Sequence, residues 1–171
     1  MRVVLLTPAK QRARAKADGP AVREQFLLFR VGDEIYGLGL RGLWEVLLPE
    51  GVTDLPTPPY QVCTALAYRG RRIALIRMGE LFGVAADGLP ASARVLLTQG
   101  QGRPLGLLVD EVLGVAEVDP ARIAPVPPMS TLLSPRFFRG LFSRNGRVIL
   151  LVDGDGLAGF EQVVGFYAAA P

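Results

Sequence analysis

Apolar runs break off early along this chain. From Phe26 onward, segments rich in Val, Leu and Ile last only a handful of residues before Gly, Pro or Asp interrupts them. A parallel α/β sheet needs roughly ten or more residues for each crossover helix between strands, and almost no interval here leaves that room. About ten short strands at roughly 8–15-residue spacing are expected instead, which argues for an all-β barrel or sandwich.

The pattern predicts a first strand over Gln25–Val31, a hairpin turn at Gly32-Asp33 and a partner strand over Ile35–Leu40. Leu43–Leu47 reads as a helical turn or a bent strand stopped at Pro49, and Pro56–Tyr60 as an extended connector, because the residue before a proline is pushed out of the helical region. Further strands are expected over Val62–Tyr68, Arg72–Met78, Arg94–Thr98, Leu105–Val109 and Val112–Val118, with turns at Arg69-Gly70 and Gly100–Gly102 and a loop over Ala85–Ser92. Phe137–Phe142 and Val148–Val152 flank Asn145-Gly146, the dipeptide best suited to a tight hairpin. Phe160–Phe166 fits a helix or a returning strand equally well.

Composition removes whole classes of chemistry. The chain has no His, so His-based triads and His-ligated metal sites are excluded. Its single Cys, Cys63, can form no internal disulfide; it reads as a small buried hydrophobe. Gly37, Gly39 and Gly42 match G-x-G-x-x-G, but Pro49 follows too soon for the helix that a dinucleotide site requires. Asp153-Gly154-Asp155-Gly156 resembles the start of a calcium loop, yet Val164 stands where the bidentate Glu belongs, so a turn is expected. No serine sits in a nucleophile elbow. The adjacent Asp110 and Glu111 would point to opposite faces of a strand. These residues indicate a binding module without catalytic residues, metal or cofactor.

Charge is unevenly placed. Residues 1–25 hold six cations against two carboxylates, a local +4, while the other 146 residues sum to −1. A flexible basic leader is therefore expected over residues 1–24, followed by a folded domain over 25–157 and a C-terminal segment over 158–171. The run Val3–Leu6 is too short for a secretory signal, and no stretch approaches the roughly 20 apolar residues of a membrane helix, so a cytoplasmic protein without membrane insertion is expected. A β-barrel nucleic-acid binder would need aromatics among basic residues on one face; only Tyr68 beside Arg69, Arg71, Arg72 and Arg77 offers this, which leaves it a distant third reading.

Several blocks, taken in order, resemble a known family. Phe26–Phe29 with Gly32-Asp33 and Tyr36-Gly37 forms the first block, and Leu43–Val46 and Leu55-Pro56 follow. Ala67–Met78 with Phe82-Gly83 tracks a pattern N-L-R-G-x-x-x-P-x-x-D-L, and Leu105–Val112 with Val115 is the best-kept block. Ile123–Pro127, Phe138–Leu141 and Val148–Asp153 complete the set. The chain is similar to the CheW-like domain, the bacterial scaffold that couples chemoreceptors to a chemotaxis histidine kinase. The resemblance implies two intertwined five-stranded SH3-like barrels with short helical segments. The first barrel would hold about 25–70 plus 148–153, and the second about 71–142. It also implies a non-enzymatic adaptor that binds the signalling tip of a methyl-accepting chemoreceptor and the regulatory domain of a CheA-type kinase. Leu40, Leu43, Glu45, Arg69 and Val112 would form the partner surface, with Glu45 and Arg69 ion-paired. Ala67, Ala74 and Arg77 stand where the family pattern has Asn, Pro and Asp. The reversed charge at Arg77 puts kinase coupling in question, so an accessory protein that binds receptor or another partner but not kinase is the alternative reading.

Overall fold

A computed structural model describes residues 22–57, 61–84, 87–128 and 133–169. Most of the expected leader, the end of the Pro56–Tyr60 connector and the Cys63 side chain fall outside these residues. Among the described residues eleven strands form: β1 (Glu24–Val31), β2 (Glu34–Gly39), β3 (Glu45–Leu47), β4 (Val52–Thr57), β5 (Gln61–Tyr68), β6 (Arg71–Arg77), β7 (Arg94–Gly100), β8 (Arg103–Val109), β9 (Glu111–Val118), β10 (Phe138–Arg144) and β11 (Arg147–Val152). Short helices follow β6 and β11: α1 (Met78–Leu81), α2 (Gly154–Ala158) and α3 (Glu161–Ala169). Among the described residues, no helix is long and apolar enough to cross a membrane.

The strands make two sheets, ordered β10-β11-β2-β1-β9 and β3-β7-β8-β6-β5-β4. Each sheet wraps around its own core. In the second sheet, Leu47 (β3), Val52 (β4), Leu66 and Tyr68 (β5), Leu75 (β6), Val95 (β7) and Leu108 (β8) all join one cluster. A flat sheet of six strands is about 24 Å across at ~4.8 Å per step, too wide for its outermost strands to share so small a cluster. The sheet must therefore curl. The first sheet curls likewise around Phe26, Leu28, Ala116, Val118, Phe142, Ile149 and Leu151. The chain after β9 returns to β10, where the Ala124 N–H donates to the Leu141 carbonyl at 2.8 Å and the Leu141 N–H donates to the Ala124 carbonyl at 2.9 Å.

A third, larger core lies between the sheets and takes the alternate residues of the same strands. Leu27, Phe29 and Val31 enter it from β1, Ala74 and Ile76 from β6, and Leu105, Leu107 and Val109 from β8. Strands buried on both faces read as unbroken apolar runs, which is why Phe26–Phe29 and Leu105–Val109 show no polar alternation.

Sheet membership departs from the expected halves. Strands β3–β5 pair with β7 and β6 in the second sheet, whereas β9 pairs with β1 and β10 with β11 in the first. The chain thus crosses at residues 40–44 and again at Asp110, so the first sheet uses 24–39 plus 111–152 and the second 45–109. The reason is long-range pairing: β1, with β2 on one edge, needs a second neighbour for the backbone groups of its other edge, and β9 provides it.

Other local expectations also change. Val52–Thr57 forms an additional strand, β4, and Pro56 is tolerated there because β4 ends its sheet. Leu43–Leu47 resolves into the edge strand β3 after a 3-10 turn at Leu40–Gly42. Phe160–Phe166 resolves into α3, with Val163 and Phe166 buried in the central core. The expected turn at Asp153–Gly156 caps α2, since the Asp153 side chain accepts from the Asp155 N–H at 3.0 Å.

Three hairpins share one turn geometry. Arg69, Gln101 and Asn145 have φ of 47°, 51° and 50°, each followed by a glycine at 73–74°. Two successive positive φ values are what a type I′ hairpin demands. Only Asn145-Gly146 advertises this in its residue types; Arg and Gln accept it because the flanking ladders hold them there.

Candidate functional site

The first 3-10 turn sets the chain across the gap between the sheets and delivers β3 as the outer strand of the second sheet. β3 pairs with β7 through Glu45–Leu47 opposite Leu97–Val95, and the Trp44 N–H donates to the Leu97 carbonyl at 2.8 Å. Side chains alternate along an extended chain. Leu47 therefore packs on the second-sheet core, and Glu45 turns toward the β5–β6 hairpin. Trp44, Val46 and Leu48 stand on the other face at 52%, 40% and 55% exposure. An aromatic and two aliphatic side chains in one row on an edge strand form an apolar stripe of the kind that marks interaction sites.

Glu45 anchors this strand. Its carboxylate accepts a hydrogen bond from the Tyr68 hydroxyl at 2.5 Å and lies 3.6 Å from the Arg69 guanidinium, which also sits 5.0 Å from the centre of the Tyr68 ring. The hydrogen bond to Glu45, with burial second, raises the pKa of the Tyr68 hydroxyl above its ordinary value. The expected Glu45–Arg69 pair is present, with Tyr68 as a third member. It ties β3 to a turn from the far side of the curled sheet.

Leu40, Leu43 and Val112 are all half-buried and pack on the central core. Leu40 and Leu43 lie in the first crossing between the sheets and Val112 just past the second, on a different core from the Leu47 and Tyr68 that flank Glu45. Sequence reasoning missed Trp44, Val46 and Leu48 as a group. A helical turn would have paired Trp44 with Leu48 and left Val46 elsewhere; only strand geometry aligns all three.

The three departures from the family pattern each find a local setting. Ala67 is exposed, and its N–H donates to the Gly51 carbonyl at 3.0 Å. Ala74 is buried in β6, in register with Ala65 of β5 on one side and Leu105 of β8 on the other. Arg77 meets Asp54 at 3.2 Å and Glu80 at 3.7 Å, while Thr64 donates to the same Asp54 oxygen at 3.0 Å. The reversed charge is balanced within the domain. Of the four arginines near Tyr68, Arg69 and Arg77 are thus turned toward carboxylates.

Those contacts hold the Asp54 carboxyl below its usual range, through the hydrogen bond from Arg77 first and that from Thr64 second. A lowered folded-state pKa contributes stability above the unfolded value near 3.8 that fades as pH falls through the folded value. Asp54→Asn is expected to melt slightly below the unmodified protein at pH 7. The gap should close as the pH drops below about 4, as read by thermal unfolding across pH 3–7.

Asp110 and Glu111 correct a further expectation. Asp110 sits between β8 and β9 rather than inside a strand, so alternation does not separate the two carboxylates. Both reach Arg30, at 4.0 Å and 3.2 Å. Asp110 also accepts from the Gly32 N–H at 2.7 Å and donates its own N–H to the Arg30 carbonyl at 3.0 Å. The pair pins the second crossing between the sheets to the β1–β2 turn.

Three comparisons bear on this architecture. A family model described as the CheW-like domain matches residues 25–162. The chain is 26% identical over 138 residues to the chemotaxis protein CheW of Rhizobium meliloti, covering 81% of this chain and 89% of that one. It is 29% identical over 147 residues to the protein PilI of Pseudomonas aeruginosa, covering 82% of each. In fold it is similar to the scaffolding protein TtCheW from Thermoanaerobacter tengcongensis, with a TM-score of 0.73 at 24% identity, over 85% of this chain and 94% of that one.

Proposed function

The chain belongs to the CheW-like domain family of scaffold and adaptor proteins, and from that membership we propose that it is a non-enzymatic adaptor of a chemosensory array, joining a chemoreceptor to a CheA-type histidine kinase. The observation that carries this reading is the division of its apolar surface into two sites. The half-buried Leu40, Leu43 and Val112, at the two crossings between the sheets, suit the helical signalling tip of a methyl-accepting receptor, since a helix docks by apolar anchors. The flat stripe of Trp44, Val46 and Leu48 suits the kinase's regulatory domain. Tryptophan is a favoured anchor residue of protein interfaces.

A receptor-only accessory role drew its support from the charge at Arg77. With Asp54 and Glu80 balancing that charge, we take kinase contact to be retained.

Titrating the purified protein separately with a receptor signalling-tip fragment and with the kinase regulatory domain tests the assignment. Micromolar binding, about −8 kcal/mol, is expected for each. Receptor binding without kinase binding would replace this reading by the accessory one, and absence of both would remove the adaptor assignment.

Arg69→Ala probes the strut behind the stripe. Arg69 is 76% exposed at its side chain, and exposed pairs contribute about 0.2–1 kcal/mol, so the melting temperature should fall by no more than about 4 °C. Kinase-domain affinity should fall by more than that small loss accounts for, because β3 is no longer held in register with the hairpin. Equal, modest losses of both would reduce Arg69 to a structural strut.

A further inference from the structure

We propose that the cavity between β9 and β10 binds a carboxylate monoanion that carries an apolar group, a function separate from the adaptor surfaces. These are the outer strands of the first sheet, and the chain bridges to β10 only further on, at Ala124 and Leu141. Ahead of that bridge lies a cavity of about 250 Å³. Its apolar side is Val118 and Phe142, each 4% exposed and fixed in the first-sheet core. Its polar side is Arg122, Arg144 and Asn145.

Charge selects the ligand. Among the described residues, neither Arg122 nor Arg144 is ion-paired. Glu117 is the lining's one carboxylate, and it accepts a hydrogen bond from the Gln25 amide at 3.3 Å. Two guanidinium groups against one carboxylate leave a single positive charge, which matches one carboxylate better than a phosphate dianion. The planar fork of arginine pairs with a carboxylate through two parallel hydrogen bonds. The volume falls below the usual range of roughly 300–1,000 Å³ for ligand sites, so the bound group is about the size of one amino acid. A free small acid and the last residue of a peptide share this chemistry, and capture of a C-terminal carboxylate is a known mode of peptide recognition.

The full chain would be titrated with N-acetylphenylalanine and with its amide, following the backbone amide resonances of Ala116, Asn145 and Gly146. Saturable shifts are expected with the acid, and binding at least about tenfold weaker with the amide, which lacks the charge. The double variant R122Q/R144Q should lose about tenfold or more in affinity for the acid. Both side chains are exposed, so circular dichroism should confirm a retained fold; the single variant R144Q, with an intermediate loss, provides a second reading. A hexapeptide ending in a free phenylalanine carboxylate that binds more tightly than the single residue identifies a peptide terminus as the source, and equal affinity identifies a small acid; either supports the proposal. Equal binding of acid and amide, no saturable shift, or undiminished binding by the double variant overturns it.

Discussion

Replacing Gly156 by alanine is expected to lower the melting temperature by about 6–12 °C. A Cβ at this position would stand 1.7 Å from the Arg136 carbonyl oxygen and 2.7 Å from its carbon. Both sides of that contact are backbone, so no rotamer change relieves it. The helix cannot retreat freely either, because the Gln101 N–H donates to Asp155 at 2.6 Å, and a Cβ on Gly100 would lie 2.0 Å from the Gly154 carbonyl oxygen. Overpacking costs typically about 1–3 kcal/mol, and the upper end applies where backbone must move. For a domain of this size each kcal/mol is worth roughly 2–4 °C. Gly39→Ala is the control, since nothing lies within 4 Å of its Cβ position and its φ is −55°; it should be neutral or slightly stabilising. A loss below about 2 °C for Gly156→Ala, read by circular dichroism, would mean that α2 does not seat directly on the 3-10 turn at Pro135–Phe137.

Trp44→Ala is expected to weaken binding of the kinase regulatory domain by about 30-fold, the effect of losing an interface anchor worth roughly 2 kcal/mol. Its backbone bond to Leu97 does not involve the side chain, and the indole is half exposed, so the melting temperature should stay within about 2 °C. Affinity for the receptor tip, assigned to Leu40, Leu43 and Val112, should change less than about twofold. Calorimetric titration with each partner separates the surfaces. An unchanged kinase affinity would show that the stripe is not the kinase contact, and an equal drop for both partners would show that the two sites are one.

Much of the local structure could be read along the chain. Short apolar runs between Gly, Pro and Asp placed β1, β5, β6, β8 and β11 within a residue or two of their observed bounds, because burial on both faces leaves few polar residues inside such a strand. Ordered blocks of residues pointed to the family. The Glu45–Arg69 pair followed from that resemblance, whereas Tyr68 between them did not.

Residue order by itself determined the all-β character, the hairpin at Asn145-Gly146, the strand ends at glycine and proline, and the exclusion of histidine chemistry. These are local matters of backbone torsion, apolar run length and side-chain chemistry. Only the tertiary structure decided that β9 lies against β1, that β3–β5 belong to the second sheet, that Arg77 meets Asp54, and that Trp44, Val46 and Leu48 share a face. Each of these depends on which distant strand supplies the missing hydrogen bonds while burying the remaining apolar face. That choice is made by the whole core at once, and a run of neighbouring residues carries no record of it.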